Sequence, residues 1–166
     1  MKIRFEEATD AGGIRTVIRE AFAQAGHSSN TEPSIVDKLR ESGALTVSLV
    51  AAEGARIIGH VAVSPVVAPE ATGTWFGLGP VSVHPDCQGR GVGSALIKNA
   101  LDHLRRSGAS GCVVLGEPEY YRRFGFQHNP SVSYRDVPPP YFQVLSFGPD
   151  QPTGPVDYDA AFEATG

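Results

Sequence analysis

The densest run of residues able to do chemistry is Gln88-Gly89-Arg90-Gly91-Val92-Gly93-Ser94. Three glycines at alternate positions remove the Cβ atoms that would hold an anion away from the backbone. The residues that follow, Val92, Leu96, Ile97, Leu101 and Leu104, carry the spacing of an amphipathic helix over 91–107, stopped at Gly108. A glycine-rich loop running straight into a helix start is an anion site. The first N–H groups of the helix have no internal partner, and its dipole adds about half a positive charge there. Arg90 can add a charge-assisted hydrogen bond to a phosphate, worth about 1.5–3 kcal/mol when well formed.

The loop is not a nucleotide loop of the common kinds. A Walker loop needs Gly-x-x-x-x-Gly-Lys-Ser/Thr, and no lysine stands here. The dinucleotide fingerprint needs a third glycine where Ser94 stands, and its glycines follow a first buried strand near the N-terminus. A tight turn with no ligand is the plain alternative. Elsewhere, Tyr120, Tyr121, His60, His84, Glu117 and Glu119 are the side chains able to exchange a proton. His60 alternates with apolar neighbours and is placed facing a cleft or in the core. His84, just before Pro85, reads as a strand end, and Glu117 as an acid near a helix start. Cys87 and Cys112 make neither a metal-ligand set nor a disulfide framework. No metal site is expected.

These residues need elements to position them. Ile3–Phe5 reads as a first strand. Thr9 or Asp10 can cap a helix carrying Ile14, Val17, Ile18, Ala21 and Phe22, ended by Gly26. Residues 34–39 form a second helical piece. Leu45–Ala52 and Arg56–Val67 make a hairpin turning at Glu53-Gly54. Trp75–Val83 is a strand interrupted by Gly77, Gly79 and Pro80, which mark a bulge or the close approach of a ligand. Cys112–Leu115 is a short interior strand. A brief helix runs from Pro118 to Phe124, and strands follow at Val132–Arg135 and Phe142–Phe147. Residues 1–147 are expected to form the domain. Residues 148–166 are expected to form a tail on it, loosely packed except at Val156, Tyr158 and Phe162.

With 166 residues, 41% hydrophobic and 19% charged, the chain suits one globular domain. Its net charge of -4 and basic runs no longer than Arg105-Arg106 argue against nucleic acid. No apolar stretch approaches the roughly 20 residues of a membrane span, and the opening residues lack the apolar core of a signal peptide. A cytoplasmic protein is expected.

Gln88, Gly91 and Gly93 fit the pattern Gln/Arg-x-x-Gly-x-Gly/Ala, and Tyr121-Arg122-Arg123-Phe124-Gly125-Phe126 fits Tyr-x-x-x-Gly-Phe. Together they resemble the GNAT superfamily of N-acetyltransferases over residues 3–147. Gly59-His60-Val61, Leu78-Gly79-Pro80 and the segment 113–126 are similar to its YhbS-like subgroup. The resemblance implies an α/β (α+β) fold with a mixed, mostly antiparallel sheet, splayed between Trp75–Val83 and Cys112–Leu115 to admit acyl-coenzyme A. It implies that acetyl-coenzyme A is held by Val81, Ser82, Val83 and the loop Gln88, Gly89, Arg90, Gly91, Val92, Gly93 and Ser94. The backbones of Val81 and Val83 would extend toward the pantetheine arm, one N–H polarising the thioester. Tyr121 would protonate the departing sulfur, Tyr120 being the alternative one residue away. Many relatives carry a glutamate base on the bulged strand, and Trp75-Phe76-Gly77-Leu78 has none, so water could carry the proton. A small-molecule or peptide amine is the implied acceptor. Its determinants would lie in 26–32, 65–74 and 131–140, with a homodimer open as an assembly. An idle acyl-coenzyme A-binding sensor or partner module is the competing function.

Overall fold

The computed structural model describes residues 1–23 and 32–163. In chain order these form β1 (Lys2–Phe5), α1 (Ala11–Ala23), α2 (Glu32–Ser42), β2 (Val47–Glu53), β3 (Arg56–Pro65) and β4 (Trp75–Val83). There follow α3 (Val92–Arg106), β5 (Gly111–Leu115), α4 (Pro118–Tyr121), β6 (Gln127–His128), β7 (Val132–Ser133), β8 (Phe142–Ser146) and β9 (Gly154–Pro155). One sheet takes the order β1-β2-β3-β4-β5-β8-β6, and β7 with β9 forms a small second sheet. The large sheet is antiparallel except where β4 runs parallel to β5. The mixed, mostly antiparallel architecture expected of the sequence is therefore present.

Each helix lies where its apolar stripe finds a partner. α3 buries Leu96, Ile97, Ala100, Leu101 and Leu104 on one face of the sheet, against Leu49, Ile58, Val61 and Val63. α1 and α2 cover the other face with Ile14, Val17, Ile18 and Val36 on Val50 and Ala62. Because β3 is roofed on both sides, its alternation carries no polar face: seven consecutive residues, Ile58–Ser64, are buried. Gly59 has a local reason, since a Cβ there would lie 2.9 Å from both Leu96 and Val92 and push the start of α3 off the sheet.

Several expected bounds shift. α2 is longer than the 34–39 expected, beginning at Glu32 before Pro33, where the missing N–H costs nothing. The strand expected at Val132–Arg135 holds only Val132 and Ser133, because Arg135 takes a positive φ of 43° that no ladder accommodates. Gly26 lies outside the described residues. The tail is more than a loose appendage: β9 pairs with β7, Val67 and Asp157 form an antiparallel bridge, and Val156, Tyr158 and Ala161 are buried. No described helix is long and apolar enough to cross a membrane.

A buried polar chain ties α2, β1, β2 and β3 together. Arg40 donates to both carboxylate oxygens of Glu6, at 2.8 and 3.0 Å, and these contacts help hold that carboxyl below its ordinary pKa despite burial. An ionised carboxylate only accepts, so the Ser48 hydroxyl donates to Glu6. Ser48 Oγ then accepts from His60 Nε2 at 2.8 Å, which leaves Nδ1 of His60 as the bare nitrogen. His60 is fully buried, and burial pushes its pKa down to about 4.

The native state thus refuses a proton that the unfolded chain accepts, and the stability tied to this is complete above about pH 6.5 and lost toward pH 4. Lowering the pH from 6.5 to 5 is expected to cost about 2 kcal/mol, at 1.36 kcal/mol per unit. Urea melts at both pH values check it. His60→Gln should flatten the slope, and equal slopes in the two proteins would refute the assignment.

Candidate active site

The site begins where two strands part. β4 and β5 are paired only from Trp75 opposite Gly111 to Leu78 opposite Val114. Beyond that, β4 shifts register around Gly79-Pro80 and stays with β3, placing Val81 against Val61 and Val83 against Gly59. β5 stops at Leu115, and the chain turns into α4. The N–H of His84 donates to Ile58 on the β3 side at 2.8 Å. Backbone groups alternate along a strand, so Ser82 also faces β3 while Val81 and Val83 turn their polar groups to the open side. The carbonyl of Val83 accepts from Gln88 Nε2 at 3.3 Å on that open side.

The loop after β4 completes one end. His84 Nδ1 accepts from the N–H of Asp86 at 3.1 Å, so its proton sits on Nε2 and is given to Glu20 of α1 at 2.6 Å. That pair ties α1 to the turn at 85–87. Gly89 and Gly91 both adopt φ of 79°, and among the described residues a Cβ on either would meet no atom within 4 Å. Gly91 stands as the residue before the first helical turn of α3. A cleft of about 510 Å³ results, lined by Val81, Val83, Gln88, Gly89, Gly91, Val92, Gly93 and Ser94 together with Ala21, Phe22, Cys87, Tyr120, Tyr121 and Arg123. It is polar at the helix start and aromatic beyond.

Two residues singled out in the sequence stand apart from this lining. Arg90 turns to Glu53, 2.8 Å away, a pairing that raises its pKa further. Ser82 is 2% exposed, its side chain on the face opposite the cleft and in register with His60. His60 likewise sits in the core, away from the cleft. Its alternation with apolar residues reflected a strand roofed on both sides. Glu117 precedes α4, and Glu119 pairs with Arg122 at 3.1 Å on the surface.

The two tyrosines divide along the cleft. Tyr120 Oη lies 3.3 Å from where a Cβ of Gly93 would stand, at the helix start. Arg123 stacks over the Tyr120 ring at 4.5 Å. Tyr121 packs deeper, edge-on to Phe126, with its ring over Gly116, where a side chain would collide with it. Burial first, then the neighbouring Tyr120 and Cys112, push the Tyr121 hydroxyl up to about 12. Sequence reasoning overlooked the cleft positions of Phe22 and Arg123. For Arg123 no signal separated it from Arg122, since both are exposed on the same short turn.

A family model described as an acetyltransferase (GNAT) domain matches residues 45–128. YhbS of Escherichia coli K12, named an uncharacterized N-acetyltransferase, is 38% identical over 128 residues, spanning 76% of this chain and 74% of that one. A GNAT family acetyltransferase from Brucella melitensis, crystallised in complex with acetyl-CoA, is 49% identical with a TM-score of 0.87, covering 97% of each chain. YhbS from Escherichia coli in complex with CoA superposes with a TM-score of 0.89 at 34% identity, over 99% of this chain and 93% of that one.

The open space at Gly91 yields a test with coenzyme A as probe. Gly91→Asp places a carboxylate in the anion cradle, whereas Gly91→Asn places the same shape without charge. Both residue types tolerate the left-handed backbone better than others do. Calorimetric titration should show the Asp variant binding at least about tenfold more weakly than the Asn variant, about 1.4 kcal/mol. Equal affinities would move the anion site elsewhere.

Proposed function

The chain belongs to the GNAT acetyltransferase family, and we propose that it transfers the acetyl group of acetyl-coenzyme A directly to a primary amine within a ternary complex. The observation that carries this reading is a cleft with a glycine-rich helix start at one end and the half-buried Tyr121 toward the other, flanked by backbone of β4 that pairs with no strand on that side.

The residues suit the donor. Gln88, Gly89, Gly91, Val92, Gly93 and Ser94 would hold the pyrophosphate at the helix start, with Arg123 nearby as a cation. Val81 and Val83 would pair with the pantetheine arm as an added strand. Bound acetyl-coenzyme A supplies an acyl thioester, which an amine attacks. The N–H of Val81, next to the bulge, receives the carbonyl oxygen as it gains charge. Arg90 and Ser82 belong to the surroundings of the cradle in this reading: Arg90 braces the loop through Glu53, and Ser82 keeps β4 on β3.

Tyr121 gives its proton to the departing sulfur. Against a thiol of ordinary pKa, about 8.5, a phenol at about 12 is uphill by about 3.5 units, or about 5 kcal/mol. The cleft closes much of that gap, because it desolvates a thiolate as it does a phenolate. Buried Cys112, beside Tyr121, has its thiol pKa raised for the same reason.

Tyr121→Phe deletes one hydroxyl and keeps the ring that packs on Phe126. Thiol release from acetyl-coenzyme A with a panel of primary amines should fall by about 10²–10⁴-fold, with coenzyme A affinity and melting temperature near wild type. Tyr120→Phe is the matched control and should lose far less. A loss confined to Tyr120 would transfer the role to it, and equal activity in all three proteins would remove tyrosine from the mechanism.

A further inference from the structure

The glycine-rich loop lends the start of α3 no free cation, because Arg90 is held by Glu53 at 2.8 Å. Cations stand further along the helix instead. A groove of about 250 Å³ follows α3, lined by Lys98, Leu101, Asp102 and Arg105 on the helix and by Arg123 and Phe124 beside it. Ser94 lines the cleft and Lys98 lines the groove, and a spacing of one helical turn puts both on one face of α3. Arg123 lines the cleft and the groove alike. The groove is therefore continuous with the cleft at the helix start.

Its charge is at odds with the rest of the molecule. Three cations face one carboxylate there, on a chain whose net charge is -4. Asp102 reaches Arg105 only at 3.5 Å, and the Arg105 guanidinium lies over the Phe147 ring, 4.8 Å from its centroid. Arg123 is held by Tyr120: its Nε donates to the Tyr120 carbonyl at 2.9 Å while its guanidinium stacks on the ring. Among the described residues, Lys98 and Arg123 make no ion pair. Leu101 and Phe124 are buried and give the groove an apolar floor. Such a floor beneath unpaired cations suits a phosphate carried on an organic ring better than a bare ion.

Coenzyme A has such a group. Besides its pyrophosphate it carries a phosphate monoester on the ribose, with close to two negative charges near pH 7. Only the ribose separates the two, and Lys98 stands about 6 Å along the helix axis from Ser94. We infer that Lys98 and Arg123, with Arg105 further along, hold this monoester. The chain then selects its donor by the phosphorylated ribose, and takes free acyl-coenzyme A over acyl thioesters that end at the phosphate of phosphopantetheine. The inference rests on the acetyl-transfer reading and names the form of donor which that site accepts.

Calorimetric titration with coenzyme A and with 3′-dephospho-coenzyme A tests it. Wild type should prefer coenzyme A by about tenfold at low salt, and the preference should shrink as salt rises, because the groups that make it are exposed. Lys98→Ala should cut the preference to about threefold, and Lys98→Ala combined with Arg123→Gln should abolish it. Lys38→Ala, at an exposed position of α2, is the control and should keep the full preference. In thiol release the loss should fall on the KM for acetyl-coenzyme A. Equal binding of the two forms by wild type overturns the inference while leaving acetyl transfer standing. A preference that survives the double substitution overturns the assignment to this groove. If neither form binds wild type, the reading of the function fails and this inference falls with it.

Discussion

The whole arrangement follows from four residue pairs. β4 and β5 hold a parallel register from Trp75 to Leu78 and then part, because β4 shifts at Gly79-Pro80 and stays with β3. Inside a sheet, an unpaired strand edge is a row of donors and acceptors that must find partners. Gln88 meets one of them, the Val83 carbonyl. The remaining backbone groups at Val81 and Val83 are those that the pantetheine arm, with its two amides, would meet as an added strand in the proposed reading. The parting of the strands also leaves room for Tyr121 to pack beyond the end of β5.

Holding such a split open requires that both flanks be rigid without β5. On the α3 side this is apolar packing, with Gly59 letting the helix start press against β3. On the α1 and α2 side it is a polar chain from Arg40 through Glu6 and Ser48 to His60, reaching the strand that backs the split. The two flanks answer to different conditions. Apolar contacts are indifferent to pH, whereas a buried neutral histidine is not. The His84–Glu20 pair then ties α1 to the loop itself, so the glycine-rich loop is braced from a helix that also borders the cleft.

What could be read from the sequence is what is local. Gln88 to Ser94 and the start of α3 lie within a few residues of each other, so glycine spacing and helix periodicity together revealed a loop that lines the cleft at a helix start. Tyr121 and Gly125 were legible for the same reason, as parts of one short turn. Partners distant in the chain were not. Arg90 was assigned to a phosphate because nothing near it suggested Glu53, 37 residues earlier. The tail was expected to pack loosely except at Val156, Tyr158 and Phe162, and its pairing with β7 went unread because β9 is two residues long. That the Tyr158 ring lies on Gly77 was not legible either, since Gly77 read as a bulge or the close approach of a ligand. His60 was open between cleft and core for another reason: in a strand covered on both faces, alternation does not tell the two apart, and the structure places it in the core.

The fate of the amine's proton follows from where the candidate bases stand. His60 is enclosed, its Nε2 committed to Ser48 and its pKa depressed to about 4. His84 uses Nδ1 on its own turn and Nε2 on Glu20. Glu117 and Glu119 are exposed at α4, outside the cleft lining. Among the described residues, no carboxylate or imidazole lines the cleft, and Tyr121 keeps its proton up to about 12. A mechanism without a resident base has to receive the acceptor as the free amine, or release its proton to water as the new bond forms. In the proposed mechanism the chain's contribution would then be electrostatic and positional: an N–H at Val81 for the oxygen, a hydroxyl at Tyr121 for the sulfur, and a cradle for the donor's far end. Catalysis of this kind depends on geometry held by the parted strands, so the packing that keeps β4 on β3 belongs to the chemistry as much as Tyr121 does.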